Sequence, residues 1–173
     1  MASLSTGSVN FPTIVYESAA SLILDLATKM HVNPIRPEIQ LFDLSHIHGA
    51  RRLVDAGLMD KRLHVQIVMG IKNALPAEEQ LLHIMLDDIS CQLPRATWTA
   101  AGIDANQARV LEWGLARGGD GVRTGPEDNI RFGRDRLATG NAELVTFAAQ
   151  AIGCHCGRPA TVAEARATLG LAA

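Results

Sequence analysis

One short segment concentrates more chemically able side chains than any other part of the sequence. It spans seven residues and carries Arg123, Glu127, Asp128 and Asn129. Of two neighbouring carboxylates, one can bind a metal while the other orients a ligand or acts as a base. An arginine can hold a carboxylate through paired hydrogen bonds or stabilise an oxyanion. The segment therefore indicates either a reactive site or, more simply, a turn capped by its own carboxylates beside a solvated arginine.

Two other clusters contain residue types that bind metals. His46 and His48 would face the same way on an extended segment, but they would diverge in the first turn of a helix, and the pattern fits both. We therefore favour His46 alone as a residue that lines a pocket. The run 154–156, Cys-His-Cys, has no second cluster to complete a site, and loop residues are its simpler interpretation. Three cysteines without framework spacing predict a reduced, cytoplasmic protein.

Short strands that alternate with helices must position these residues. The pattern predicts strands at 2–6, 39–44, 64–69, 96–101 and from 121, and helices from 18, over 47–57, from 76, from 104, over 142–152 and from 161. About five β-α repeats in one domain, 1–173, predict an α/β fold with a parallel sheet. An open doubly wound sheet and part of a (β/α)₈ barrel both fit this order. In either fold, functional residues gather at the carboxyl ends of the strands.

Several residues predict where the helices begin. Ser18 and Asp104 are candidate N-caps, and Pro76 is suited to a first helical turn. Thr161 and Glu164 have the spacing of a capping box, in which each side chain bonds the backbone of the other.

The overall charge and the motifs exclude several classes of partner. The net charge of −2 gives no reason to expect nucleic acid or a membrane surface. A small phosphate-binding module is disfavoured, because residues 117–121, Arg-Gly-Gly-Asp-Gly, lack the phosphate-loop spacing and precede a strand instead of a helix.

Seven spaced motifs, in order along nearly the whole chain, give the sequence a family resemblance. They are ASLSTGSVNF (2–11), PEIQLFDLSH (37–46), HVQIVMG (64–70), ATWTAAGI (96–103), VRTGPEDN (122–129), TGNAELV (139–145) and ATVAEAR (160–166). In these motifs the chain resembles the β-keto acid cleavage enzymes, typified by the 3-keto-5-aminohexanoate cleavage enzyme of lysine fermentation.

The resemblance implies a TIM barrel, of which this chain would supply about the last five β-α units. It implies a Zn²⁺ enzyme that converts a β-keto acid and acetyl-CoA into acetoacetate and a new acyl-CoA. By this match Glu127 is a zinc ligand, Asp128 and Arg123 are the catalytic pair, and Ser3 and His46 contact the substrate. The resemblance also implies a homo-oligomer. The protein would bind a β-keto acid and a CoA thioester, and it would bind neither nucleic acid nor a membrane.

The departure from the family concerns the rest of the zinc site. The family's H-x-H pair lies on an early strand that has no counterpart here, and His46 and His48 lie on the wrong strand to replace it. We therefore expect the C-terminal part of a longer enzyme, with little or no activity alone. The alternative is a non-catalytic remnant that acts only as a folding or assembly module.

Overall fold

The computed structural model describes residues 1–127, 129–132 and 136–171. Five parallel strands form the main sheet: β1 (Ala2–Ser5), β4 (Pro37–Leu41), β5 (His64–Met69), β6 (Thr97–Gly102) and β7 (Gly121–Val122). A small antiparallel hairpin, β2 (Val9–Asn10) and β3 (Val15–Tyr16), follows the first strand. The helices are α1 (Ala20–Val32), α2 (Leu44–Asp55), α3 (Glu79–Gln92), α4 (Gln107–Ala116), α5 (Asn141–Cys154) and α6 (Val162–Thr168). None of the helices in these described ranges is long and apolar enough to cross a membrane.

The strand order decides between the two predicted architectures. The sheet runs β1-β4-β5-β6-β7, so each parallel strand pairs with the next one along the chain. In a doubly wound sheet the order of the strands reverses at one point in the sheet. In a (β/α)₈ barrel the strands follow one another in sequence order. The α/β fold with five parallel strands is confirmed, and its order is that of consecutive barrel strands.

The two faces of the sheet have different chemistry. One face packs on the helices through buried side chains that include Ile39, Leu41, Val65, Ile67 and Met69. The alternate positions face the other side and are mostly polar, namely Ser3, Ser5, Glu38, Gln40, His64, Gln66, Thr97 and Thr99. Because side chains alternate along a strand, these residues share the face that would be the interior of a barrel.

The structure corrects most of the predicted helix starts. Helix α2 begins at Leu44, three positions before the expected 47, because the Asp43 carboxylate accepts a hydrogen bond from the backbone N–H of Ser45 at 2.9 Å. Ser18 is not an N-cap, since Ala19 holds that position without a side-chain bond. Asp104 instead begins a 3₁₀ turn, Asp104–Asn106. Pro76 precedes α3 by a turn, whereas the capping box of Thr161 is confirmed.

Helix α2 approaches the end of β1 unusually closely. A Cβ atom added at Gly49 would lie 2.5 Å from the carbonyl oxygen of Thr6, far inside van der Waals contact. The Thr6 hydroxyl also donates a hydrogen bond to the carbonyl of His46, at 2.6 Å. Glycine at this position therefore allows the helix to pack directly against the loop that follows β1.

Candidate functional site

A cavity of about 430 Å³ opens at the carboxyl ends of the strands, on the polar face of the sheet. Its walls come from three strands, β1, β4 and β5, from the hairpin and from the adjoining loops, through Ser3, Ser5, Phe11, Tyr16, Gln40, Phe42, Val68, Ile71, Ile103, Arg123 and Glu127. Three of the predicted site residues, Ser3, Arg123 and Glu127, thus border one space. Aromatic and aliphatic side chains form much of the remaining wall.

Arg123 is held between a buried partner and an exposed one. Its Nη1 donates to the Gln66 side-chain carbonyl at 2.8 Å, and its Nη2 lies 3.2 Å from a carboxylate oxygen of Glu127. The Arg123 side chain is 26% exposed, whereas that of Glu127 is 86% exposed. Exposed ion pairs contribute about 0–1 kcal/mol, so Glu127 can leave Arg123 for another ligand at low cost.

A chain of hydrogen bonds crosses the sheet beneath the cavity. Gln66 accepts a hydrogen bond from Gln40 at 3.1 Å, and Gln40 donates to Glu38 at 2.8 Å. The Ser3 hydroxyl donates to the same Glu38 carboxylate at 3.2 Å. Gln40 and Gln66 were not among the predicted site residues. Each is a polar residue at an alternate position of its strand, and this alternation was the signal present in the sequence.

Gln107, at the start of α4, holds the turn between Arg123 and Glu127 through two side-chain hydrogen bonds. Its side-chain amide donates to the Gly125 carbonyl and its own carbonyl accepts from the Thr124 hydroxyl, both at 2.9 Å. Gln107 is only 4% exposed. Gly125 has φ +148°, a backbone conformation that favours glycine. The predicted catalytic residue Asp128 lies outside the described residues.

His46 lies behind the cavity wall, with its ring against Phe42. It is 2% exposed, its Nδ1 faces the backbone N–H of Phe42 at 3.4 Å, and its Nε2 lies 3.3 Å from the Ser8 carbonyl. These contacts fit a neutral ring that donates from Nε2 and joins the loops after β1 and β4. Direct contact with substrate stays a prediction for His46.

The other metal-binding patterns do not assemble within the described structure. The His48 ring lies 3.1 Å from an Asp88 carboxylate on α3, so it diverges from His46. His155 pairs with Glu112 at 2.9 Å, and the two neighbouring cysteines are exposed and free. No group of three His, Cys, Asp or Glu side chains in residues 1–127, 129–132 and 136–171 could hold a metal ion. Glu127 would therefore be one ligand of a site that needs further donors.

Two buried histidines should make folding sensitive to pH. Burial lowers the pKa of His46 below its ordinary 6.5, and it lowers the pKa of His64 although Glu38 and Asp120 oppose this. Below pH 6.5 the unfolded chain therefore binds more protons than the folded one, so the free energy of unfolding falls as the pH drops. Urea unfolding at pH 8 and pH 5.5 should show the lower midpoint at pH 5.5. Equal midpoints would contradict this expectation.

Comparisons with known proteins place the sequence in a family. The family model described as beta-keto acid cleavage enzyme matches residues 1–171. The chain is 49% identical to the 3-oxoadipate:acetyl-CoA acetyltransferase of Cupriavidus necator, over 99% of this chain and 60% of that protein. It is 31% identical to the 3-keto-5-aminohexanoate cleavage enzyme of Acetoanaerobium sticklandii, over 99% and 62%.

A solved structure shows the same fold at low sequence identity. The ternary complex of ObcA with C4-CoA adduct and oxalate superimposes with a TM-score of 0.85 at 16% identity, covering 98% of this chain and 45% of that one. The chain thus spans about 60% of the length of the curated relatives above. With the family model matched over residues 1–171, the chain belongs to the β-keto acid cleavage enzyme family.

Proposed function

We propose that this chain forms part of a zinc-dependent enzyme that converts a β-keto acid and acetyl-CoA into acetoacetate and a new acyl-CoA. The observation that carries the proposal is the pairing of Arg123 with an exposed Glu127 at the mouth of the cavity, with Ser3 on the same wall. An anchored cation beside an available carboxylate suits an anionic substrate held next to a metal.

The residues of this chain would divide the work by their chemistry. Arg123 would bind the substrate carboxylate and stabilise negative charge as it develops, because its guanidinium is fixed before the substrate arrives. Asp128 would move a proton, and the Ser3 hydroxyl would contact the substrate, with its single O–H turning from Glu38 if it is to donate. Glu127 would be one ligand of Zn²⁺, which when bound would polarise the keto and carboxylate oxygens of the substrate.

The proposed site needs more donors than the described residues 1–127, 129–132 and 136–171 bring together. Zinc sites in enzymes commonly have three protein ligands, and Glu127 supplies one. We propose that the others come from polypeptide corresponding to the part of the relatives that this chain does not span. The isolated chain would then have little or no activity. A homo-oligomer in the cytoplasm also stays a prediction.

A chimera tests this proposal directly. The residues of the Cupriavidus necator relative that precede the matched region would be joined to this chain and assayed with 3-oxoadipate and acetyl-CoA. We take 3-oxoadipate first because that relative is 49% identical. Acyl exchange would give acetoacetate and succinyl-CoA in equal amounts. Acetoacetate formed by the isolated chain would contradict the incomplete site, and a folded but inactive chimera would favour the non-catalytic module.

Ser3→Ala should weaken substrate binding modestly in the chimera. Removal of one hydrogen-bonding hydroxyl costs about 0.5–1.5 kcal/mol, which corresponds to roughly a two- to twelvefold rise in KM. The rise should be accompanied by little change in kcat if the contact is equal in the ground state and the transition state. Steady-state kinetics would measure both constants. Ser90→Ala on the exposed face of α3 is the control, and an unchanged KM in Ser3→Ala would remove Ser3 from the site.

A further inference from the structure

Two contacts of the Arg123 guanidinium differ in burial and in charge, since one partner is buried and neutral and the other is exposed and charged. Gln66 is 6% exposed and holds Nη1 at 2.8 Å, whereas the charged partner Glu127 is 86% exposed and lies 3.2 Å from Nη2. Hydrogen bonds shielded from water are less easily replaced by solvent than exposed ones. The orientation of Arg123 should therefore depend more on neutral Gln66 than on charged Glu127.

The neighbours of Gln66 fix which end of its amide meets Arg123. Gln40 donates to the same side-chain oxygen, at 3.1 Å, so two donors converge on it. The Gln66 nitrogen points to the Thr99 hydroxyl oxygen, at 3.5 Å. A flipped amide would place its NH₂ group against two donors and its carbonyl toward Thr99. The network therefore presents a carbonyl oxygen, and not an NH₂ group, to the guanidinium.

We propose that Gln66 is a positioning residue that holds Arg123 in place without neutralising its charge. Gln66 keeps the guanidinium oriented when the Glu127 carboxylate leaves Arg123 to act as a metal ligand. Its neutral carbonyl also leaves the positive charge available to the carboxylate of the substrate. This inference rests on the proposed function, in which Arg123 binds that carboxylate.

The choice of an amide over a carboxylate has a clear electrostatic consequence. A glutamate at position 66 has nearly the same shape and would hold Nη1 at least as well, through a charge-assisted bond. It would also place a negative charge beside Arg123 in a partly buried site, where charges interact more strongly than in water. The variant Q66E should therefore orient Arg123 well and bind an anion poorly. A residue with only a packing role would not separate these two properties.

The orientation can be measured on the 173-residue chain by ¹⁵N NMR of arginine side chains. The Arg123 signals would be assigned by their loss in R123K. Hydrogen-bonded guanidinium groups rotate slowly and give separate Nη signals. We expect separate signals in the wild type, in E127Q and in Q66E, and averaged signals in Q66M. Separate signals in Q66M, or averaged ones in E127Q, would overturn the positioning role. Q80M, at an exposed position of α3, is the matched control.

The effect of charge at position 66 on anion binding can be measured by titration with acetoacetate, followed at the NMR signal of the Arg123 Nε–H. We expect Q66E to bind acetoacetate at least tenfold more weakly than the wild type, because the introduced carboxylate competes for Arg123 and repels the anion. Equal binding by Q66E and the wild type would overturn the role of neutrality. Q66E also decides the proposal if Q66M fails to fold. If the wild type shows no shift with acetoacetate, the substrate role of Arg123 fails, whereas the Nη signals still test Gln66.

Discussion

Glu127→Gln in the completed chimera should abolish retention of zinc and reduce acetoacetate formation to background. The substitution keeps the shape of the side chain but removes the charge that makes a carboxylate a good metal ligand. Loss of one of three protein ligands leaves a site too weak to keep its metal through purification. Zinc content per protomer, measured by atomic emission, and acetoacetate formation should fall together.

In the isolated 173-residue chain the same substitution should hardly change the free energy of unfolding, and this separates metal binding from folding. Glu127 is 86% exposed, and exposed ion pairs contribute about 0–1 kcal/mol. Glu112→Gln is a matched control, because Glu112 is another surface carboxylate paired with a basic side chain, His155. It should keep both zinc and activity. Full zinc content in Glu127→Gln would remove Glu127 from the proposed ligand set.

Gly49→Ala should destabilise the chain although it replaces glycine within a helix. Alanine normally stabilises a helix interior by about 1 kcal/mol relative to glycine. Here its Cβ would lie 2.5 Å from the Thr6 carbonyl oxygen, a backbone atom that cannot simply rotate away. Overpacking typically costs about 1–3 kcal/mol, so after the helix-propensity gain we expect a net loss of up to about 2 kcal/mol. For a chain of this size the melting temperature should fall by up to roughly 8 °C.

Gly153→Ala, which also replaces a helical glycine, should instead stabilise the chain. Gly153 lies in the last turn of α5, and an added Cβ there would meet nothing within 4 Å. This variant should gain up to about 1 kcal/mol from helix propensity alone. Thermal melting of both variants beside the wild type would measure the contrast. Equal gains in the two variants would show that α2 can move away from β1 without cost.

Local patterns in the sequence were sufficient to predict the α/β class but not the order of the strands. The alternation of strands and helices predicted five parallel strands, and β5 was predicted at its observed bounds, just before Gly70. Helix starts were less predictable. Asp43 was interpreted as the end of a strand, and its capping bond to Ser45 became evident only in three dimensions. A side chain that suits both a strand end and an N-cap leaves the boundary undetermined in sequence.

The candidate site was predictable where its residues are close in sequence and not where they are distant. Arg123 and Glu127 form one local cluster, which residue types and spacing identified. Gln66 was missed because its role depends on Arg123, which is 57 positions away in the chain. His46 was expected to line a pocket, but its ring is buried by contacts with the Ser8 carbonyl and the Phe42 backbone. No local pattern records such contacts.

The order of strands in the sheet also affects how the chain can fold. Each strand pairs with the next parallel strand, so no pairing must wait for a distant segment to arrive. The pair β5–β6 has six residues in register and lies at the centre of the sheet, which suits it to act as a nucleus. Addition of one β-α unit at a time to either side then closes loops no longer than the 35 positions between the paired residues Ala2 and Pro37, and the entropic cost of loop closure grows only slowly with length. Structure can therefore spread outward from β5 and β6 toward both edges of the sheet.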